Sequence, residues 1–182
     1  MPDTLKPYDM ITDFVTGKKI PIIGAEENRQ ALELFLVREK GFLKEDISID
    51  VEIEMTVAGE ACPSQIDLIV SIDAGATAYM AIKCAAGSLG SREREIVAAA
   101  RLFDEKYQIP ISIVSDGKTA TVLDTVSGKK IGEGLAAIPS KKEAIETLKS
   151  IERIPFPRER RERERLIFRT YDNQNVNVQR NV

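Results

Sequence analysis

The sequence predicts a mixed α/β domain. Helical and strand periodicities alternate along the chain. Two apolar, β-branched runs, 65–70 and 79–84, flank a turn-rich stretch and mark a central hairpin. A second hairpin is marked by Asp116-Gly117 between runs 109–114 and 119–125. With 182 residues, 43% of them hydrophobic, the chain can bury a real core.

Residues 1–24 read as a lead-in with a short strand or turn around 16–19. Over 25–40, Leu32, Phe35 and Leu36 form an apolar stripe at helical spacing, and Gly41 is a suitable stop. Between 47 and 57, Ile47, Ile49, Val51, Ile53, Met55 and Val57 alternate with polar residues as one strand. A turn at 59–63 leads into the central hairpin. Ser91 is a candidate cap for a helix reaching about Lys106, buried through Ile96, Val97, Ala100 and Phe103. After the second hairpin, 127–130 is a turn. Ser140 and Glu143 form a capping box that opens a helix to about Glu152. The order is helix, three strands, helix, two strands, helix. This predicts a single α/β domain over 1–155 with its core at 25–134.

The charged run 158–165 and the polar residues behind it are expected as a C-terminal tail. Within the run, Arg158 with Glu162 and Glu159 with Arg163 are i,i+4 pairs, which predicts a solvated, salt-bridged helix. Acids nearly cancel its positive charge. The last ten or so residues are expected to fray or to serve as a contact tail.

The central hairpin carries the chemistry. A turn centred on Gly75 sets Asp67 opposite Lys83 and Ile69 opposite Ala81. Asp67, Lys83 and Ala81 then share one face, and Ile66, Leu68, Val70, Met80 and Ile82 the other. A charge inside an apolar run is costly unless paired, so Asp67 and Lys83 each need the other or a cation. By themselves, on spacing alone, they read more readily as a cross-strand ion pair than as a metal site.

Composition removes several alternatives. The absence of histidine excludes Ser-His-Asp and Cys-His catalysis and His-ligated zinc. Two cysteines, Cys62 and Cys84, are too few for a thiolate metal site. A net charge of −3 argues against a dedicated duplex-binding domain but leaves room for a local basic groove. No run approaches membrane-spanning length, so a cytoplasmic protein without membrane association is expected. Glycine-rich phosphate loops and dinucleotide fingerprints are lacking.

Glu27-x-Arg29, Leu36-Val37 to Gly41-Phe42, 64–70, 81–85 and 109–117 follow one another in a characteristic order and spacing. Through these residues, from Glu26 to about Gly134, the chain resembles the N-terminal nuclease domain of type I restriction enzyme R subunits, within the PD-(D/E)xK superfamily. The resemblance implies a restriction-endonuclease-like fold, with a mixed central sheet flanked by helices. It further implies Mg²⁺- or Mn²⁺-dependent phosphodiester cleavage of nucleic acid, most naturally DNA. Asp67 and Glu27 would hold the metal, and Lys83 would be the catalytic lysine. The chain departs from the pattern at Ala81, where an acid is expected two residues before Lys83. A glutamine-tyrosine helix motif is also not evident, Glu95 and Ala99 being nearest to its positions. Glu52 or Glu54 could supply a displaced acid, or could simply form a solvated strand face. Two functions follow: a metal-dependent nuclease, active or degenerate, or a non-catalytic binding or assembly module on the same fold. The second predicts no cation-dependent cleavage and a stable homo-oligomer or partner complex.

Overall fold

The structure, a computed structural model, describes residues 9–73 and 75–172. Ala74 in the central turn and the polar residues from 173 onward lie outside the described residues. A six-stranded sheet forms the middle layer, with helices on both faces. The helices are α1 (Glu26–Arg38), α2 (Glu93–Leu102), α3 (Lys141–Ser150) and α4 (Arg158–Asp172). The sheet strands are β3 (Ile47–Ile53), β6 (Ser64–Ile72), β7 (Thr77–Cys84), β8 (Ile111–Ser115), β9 (Ala120–Asp124) and β10 (Lys130–Glu133). Two small hairpins lie outside it: β1 (Met10–Thr12) with β2 (Lys19–Pro21), and β4 (Thr56–Val57) with β5 (Glu60–Ala61).

The strand order is β10-β9-β8-β7-β6-β3. Every neighbouring pair is antiparallel except β7 and β8, whose parallel pairing requires the α2 crossover between them. This is the mixed sheet flanked by helices that the resemblance implies.

On one face, Leu32 and Leu36 of α1 and Ala144 of α3 pack against Leu68, Val70, Met80 and Ile82. Fully burying a leucine contributes roughly 1.5–3 kcal/mol, which is the main reason α1 docks. Gly41 at φ +76° ends that helix, and the Phe42 N–H donates back to the Leu36 carbonyl at 3.2 Å. On the other face, α2 and Phe168 of α4 cover Ile66, Ile69 and Ala81.

Sequence periodicity and structure differ at several points. The strand expected over 47–57 ends at Ile53, because Ala58 (φ +51°) and Gly59 (φ +83°) turn β4 tightly into β5. The α2 helix starts at Glu93, after a 3₁₀ turn at Gly90–Arg92, and the Ser91 hydroxyl bonds to the Ser88 carbonyl instead of capping it. β10 follows the turn at 127–130 as an edge strand whose only strongly apolar side chain, Ile131, is exposed, so periodicity has nothing to detect. Ser140 and Glu143 do form the reciprocal capping box of α3.

The expected tail begins with α4, which is docked onto α2. Phe156, Glu164 and Phe168 are buried there. No helix of the described residues is long and apolar enough to cross a membrane.

Candidate functional site

The β6–β7 register follows the predicted pairing at Leu68 with Ile82, Ile69 with Ala81 and Val70 with Met80. A bulge then shifts it before Ser71, leaving Tyr79 unpaired. The faces are less regular than simple alternation predicts. Asp50 in β3 has φ +48°, and the inward side chains change sides there. Ile47 and Ile49 pack with α1, whereas Val51 and Ile53 pack with α2. β6 changes sides in step, so Ile66 joins the α2 layer while Leu68 and Val70 face α1. The register that pairs Ile49 with Leu68 and Val51 with Ile66 brings Asp50 and Asp67 level at this break. The acid thus sits level with a break in the strand alternation.

Asp67 and Lys83 meet, with Lys83 Nζ 3.3 Å from Asp67 Oδ1. The other Asp67 oxygen accepts the Cys84 backbone N–H at 2.7 Å. A third residue completes the group: Glu95 of α2, whose Oε1 lies 3.5 Å from Lys83 Nζ. Glu95 Oε2 is in turn held by Arg92 at 3.1 Å. Asp67 and Glu95 are each 1% exposed and Lys83 4%. Burial alone would depress the Lys83 ammonium, but the carboxylates of Asp67 and Glu95 outweigh it and hold its pKa above the usual lysine value. Burial pushes the neighbouring Cys84 thiol up, so Cys84 is no nucleophile. Both cysteines are free.

Glu27 does not join this group through any described contact: it is exposed at the start of α1. Its neighbour Glu26 turns inward instead. Helical phase puts Glu26, Arg29 and Glu33 on the face shared with Leu32 and Leu36. Arg29 gathers three acids: Glu26 at 2.6 Å, Asp13 from the β1–β2 turn at 3.3 Å and Glu33 at 3.4 Å. Burial pushes the Glu33 carboxyl up to about 8, against the lowering influence of the Arg29 guanidinium and the Val15 backbone N–H. Glu52, in β3, and Glu54, just past its end, are both exposed.

Two contacts fix α1 beside this end of the sheet. The Asn28 side-chain amide donates to the Ala85 carbonyl at 2.8 Å. Gly117, at φ +80°, lets the β8–β9 turn approach so closely that a Cβ there would meet the Asn28 carbonyl at 2.9 Å.

The family match accords with this geometry. The type I restriction enzyme R protein N terminus family matches residues 24–139, well over half of the chain. The chain belongs to that family. No curated protein and no solved structure matches it. The match covers α1, the full six-stranded sheet and α2, and so contains Asp67, Lys83 and Glu95.

The residues present do not fit a divalent cation. Hard cations need several free oxygen ligands. Here an ammonium lies between the two carboxylates, Asp67 also accepts from Cys84, and Glu95 also binds Arg92. The third acid position is a buried methyl group, Ala81. Among the described residues, no group of three or more His, Cys, Asp or Glu side chains is placed to hold a metal. Reasoning from strand residues missed Glu95 as a partner of Lys83. The available signal was its place in a helix segment, 95–102, that is otherwise apolar apart from Arg101; a charge buried there must find a partner.

Proposed function

We propose that this domain associates with nucleic acid and is a degenerate member of its nuclease family, in which Lys83 serves as a built-in counter-ion where active relatives would hold metal. One observation carries the reading: a single buried ammonium within 3.5 Å of both Asp67 and Glu95. An ammonium satisfies two carboxylates as a point charge, but it neither activates water as a Lewis acid nor bridges phosphate oxygens. Asp67, Lys83 and Glu95 therefore hold β6, β7 and α2 together, while nucleic-acid contact falls to the surface. Glu27, being exposed, takes no part in the cluster.

The test pairs calorimetric Mn²⁺ titration with a cleavage assay on plasmid and single-stranded DNA, for the parent and Asp67→Ala. The expected result is no Mn²⁺ binding and no cleavage by the parent, with DNA retained in an anisotropy assay. Mn²⁺-dependent cleavage that vanishes in Asp67→Ala would overturn the proposal and restore a working nuclease centre.

A further inference from the structure

The charge balance of α4 changes once the chain folds. Glu164 is 3% exposed and binds two arginines of α2: Arg94 at 2.6 Å and Arg101 at 2.8 Å. Burial would raise its pKa, but hydrogen bonds from Arg94 and Arg101 prevail and keep it below the usual carboxylate range. Glu164 is thus committed to α2 and does not neutralise the arginines beside it.

Those arginines line an open cleft of about 680 Å³ between the first turns of α4 and the end of α2. Arg158, Arg161 and Arg165 lie at i, i+3 and i+7, on one flank of the helix. Pro155, Phe156 and Pro157 contribute an apolar floor, and Glu105 and Glu162 are the acids in the lining. Arg158 has no ion-pair partner among the described residues. Arg161 donates through Nη2 to the Leu102 carbonyl at 3.1 Å, while its buried Nε has no hydrogen-bond partner among the described residues. Among the described residues Arg165 pairs with Glu162, at 3.4 Å and partly exposed, a kind of pair that is readily exchanged. Seven residues at a rise of 1.5 Å span about 10.5 Å, roughly three phosphate-to-phosphate steps of about 3.4 Å along one strand of a duplex.

We propose that this arginine-lined cleft binds the phosphate backbone of a nucleic-acid strand. The proposal rests on the nucleic-acid reading above and gives it a location outside the Asp67–Lys83–Glu95 cluster. Guanidinium groups suit phosphate because they donate in a planar fork. Such contacts read backbone and not base, so the cleft would be indifferent to sequence.

The test is fluorescence anisotropy with a labelled 20-nucleotide single strand over 50–200 mM salt. It compares the full chain with R158Q/R161Q/R165Q and with R158Q/R165Q, the latter leaving the Arg161–Leu102 contact in place. Each phosphate contact contributes about 0.7 to the slope of log K against log salt. The triple variant should flatten that slope by about 2 and the double variant by about 1.4. For the triple variant, this means the parent's affinity falls roughly 16-fold more over that salt range. If the parent binds and both variants match its affinity and slope, the cleft proposal is overturned and the nucleic-acid reading stands. If the parent binds neither single strand nor duplex, both fall. If polyglutamate displaces the strand at equal charge, the occupant is an acidic protein segment and the proposal is overturned.

Discussion

Replacing Lys83 by methionine tests the cluster directly. Methionine nearly preserves length and apolar volume while removing the ammonium 3.3 Å from Asp67 and 3.5 Å from Glu95. Removing one partner of a buried charge pair costs about 3–5 kcal/mol, since the remaining charges lose their compensation. For a chain of this size each kcal/mol shifts Tm by roughly 2–4 °C, so the expected drop is about 6–20 °C. The assay is thermal unfolding of the full chain at pH 7, with and without Mn²⁺. In the variant the ammonium no longer stands beside Asp67 and Glu95, and a divalent cation can take its place as their counter-charge. Mn²⁺ at a hundred times its dissociation constant would return about 2.7 kcal/mol to the variant and nothing to the parent. A Tm loss of less than about 2 °C, corresponding to under about 1 kcal/mol, would refute the counter-ion role of Lys83.

Ala81→Glu should destabilise the metal-free protein by at least about 1–3 kcal/mol through overpacking of a fully buried position. It should also give Mn²⁺ binding measurable by calorimetry, and no gain over the parent would show that position 81 does not reach the Asp67 carboxylate. Folded Glu33 keeps its proton to about pH 8, whereas in the unfolded chain it ionises near the ordinary 4.5. Its stabilising contribution is therefore complete below about 4.5 and is lost as pH rises through 8, at up to about 1.4 kcal/mol per pH unit. Glu33→Gln should flatten the fall in Tm between pH 5 and 8; an equal fall in both proteins would exclude Glu33 as its source. Glu164→Ala leaves the buried Arg101 without its carboxylate and should cost about 3–5 kcal/mol. Hydrogen exchange should then rise in α4 before the sheet, and uniform exchange across both would contradict α4 docking through that residue.

The sheet's inner strands and the two docked helices α1 and α3 are legible because each has a local signature. β6, β7 and β8 are nearly unbroken apolar runs, and α3 carries its own capping box. The register through Ile69–Ala81 follows from turn position alone. Edge strand β10 was not legible, since its burial is slight and its alternation weak. The pair of inward acids on α1 was partly legible: helical phase separates Glu26 from Glu27, but only the packed sheet shows which phase faces inward.

By itself the sequence determined that this is a mixed α/β domain, that Asp67 and Lys83 face each other, and that the chain resembles the family to which it belongs. Those properties depend on short-range periodicity and turn chemistry, which are written into neighbouring residues. Tertiary structure decided which carboxylate joins Lys83, which acid of α1 turns inward, and where Glu164 spends its charge. Each of these depends on elements remote in sequence: Glu95 and Arg94 on α2, Asp13 on the β1–β2 turn, Glu164 on α4. The physical reason is that a charge buried on packing must be paired, and its partner is whichever group the fold brings within about 4 Å.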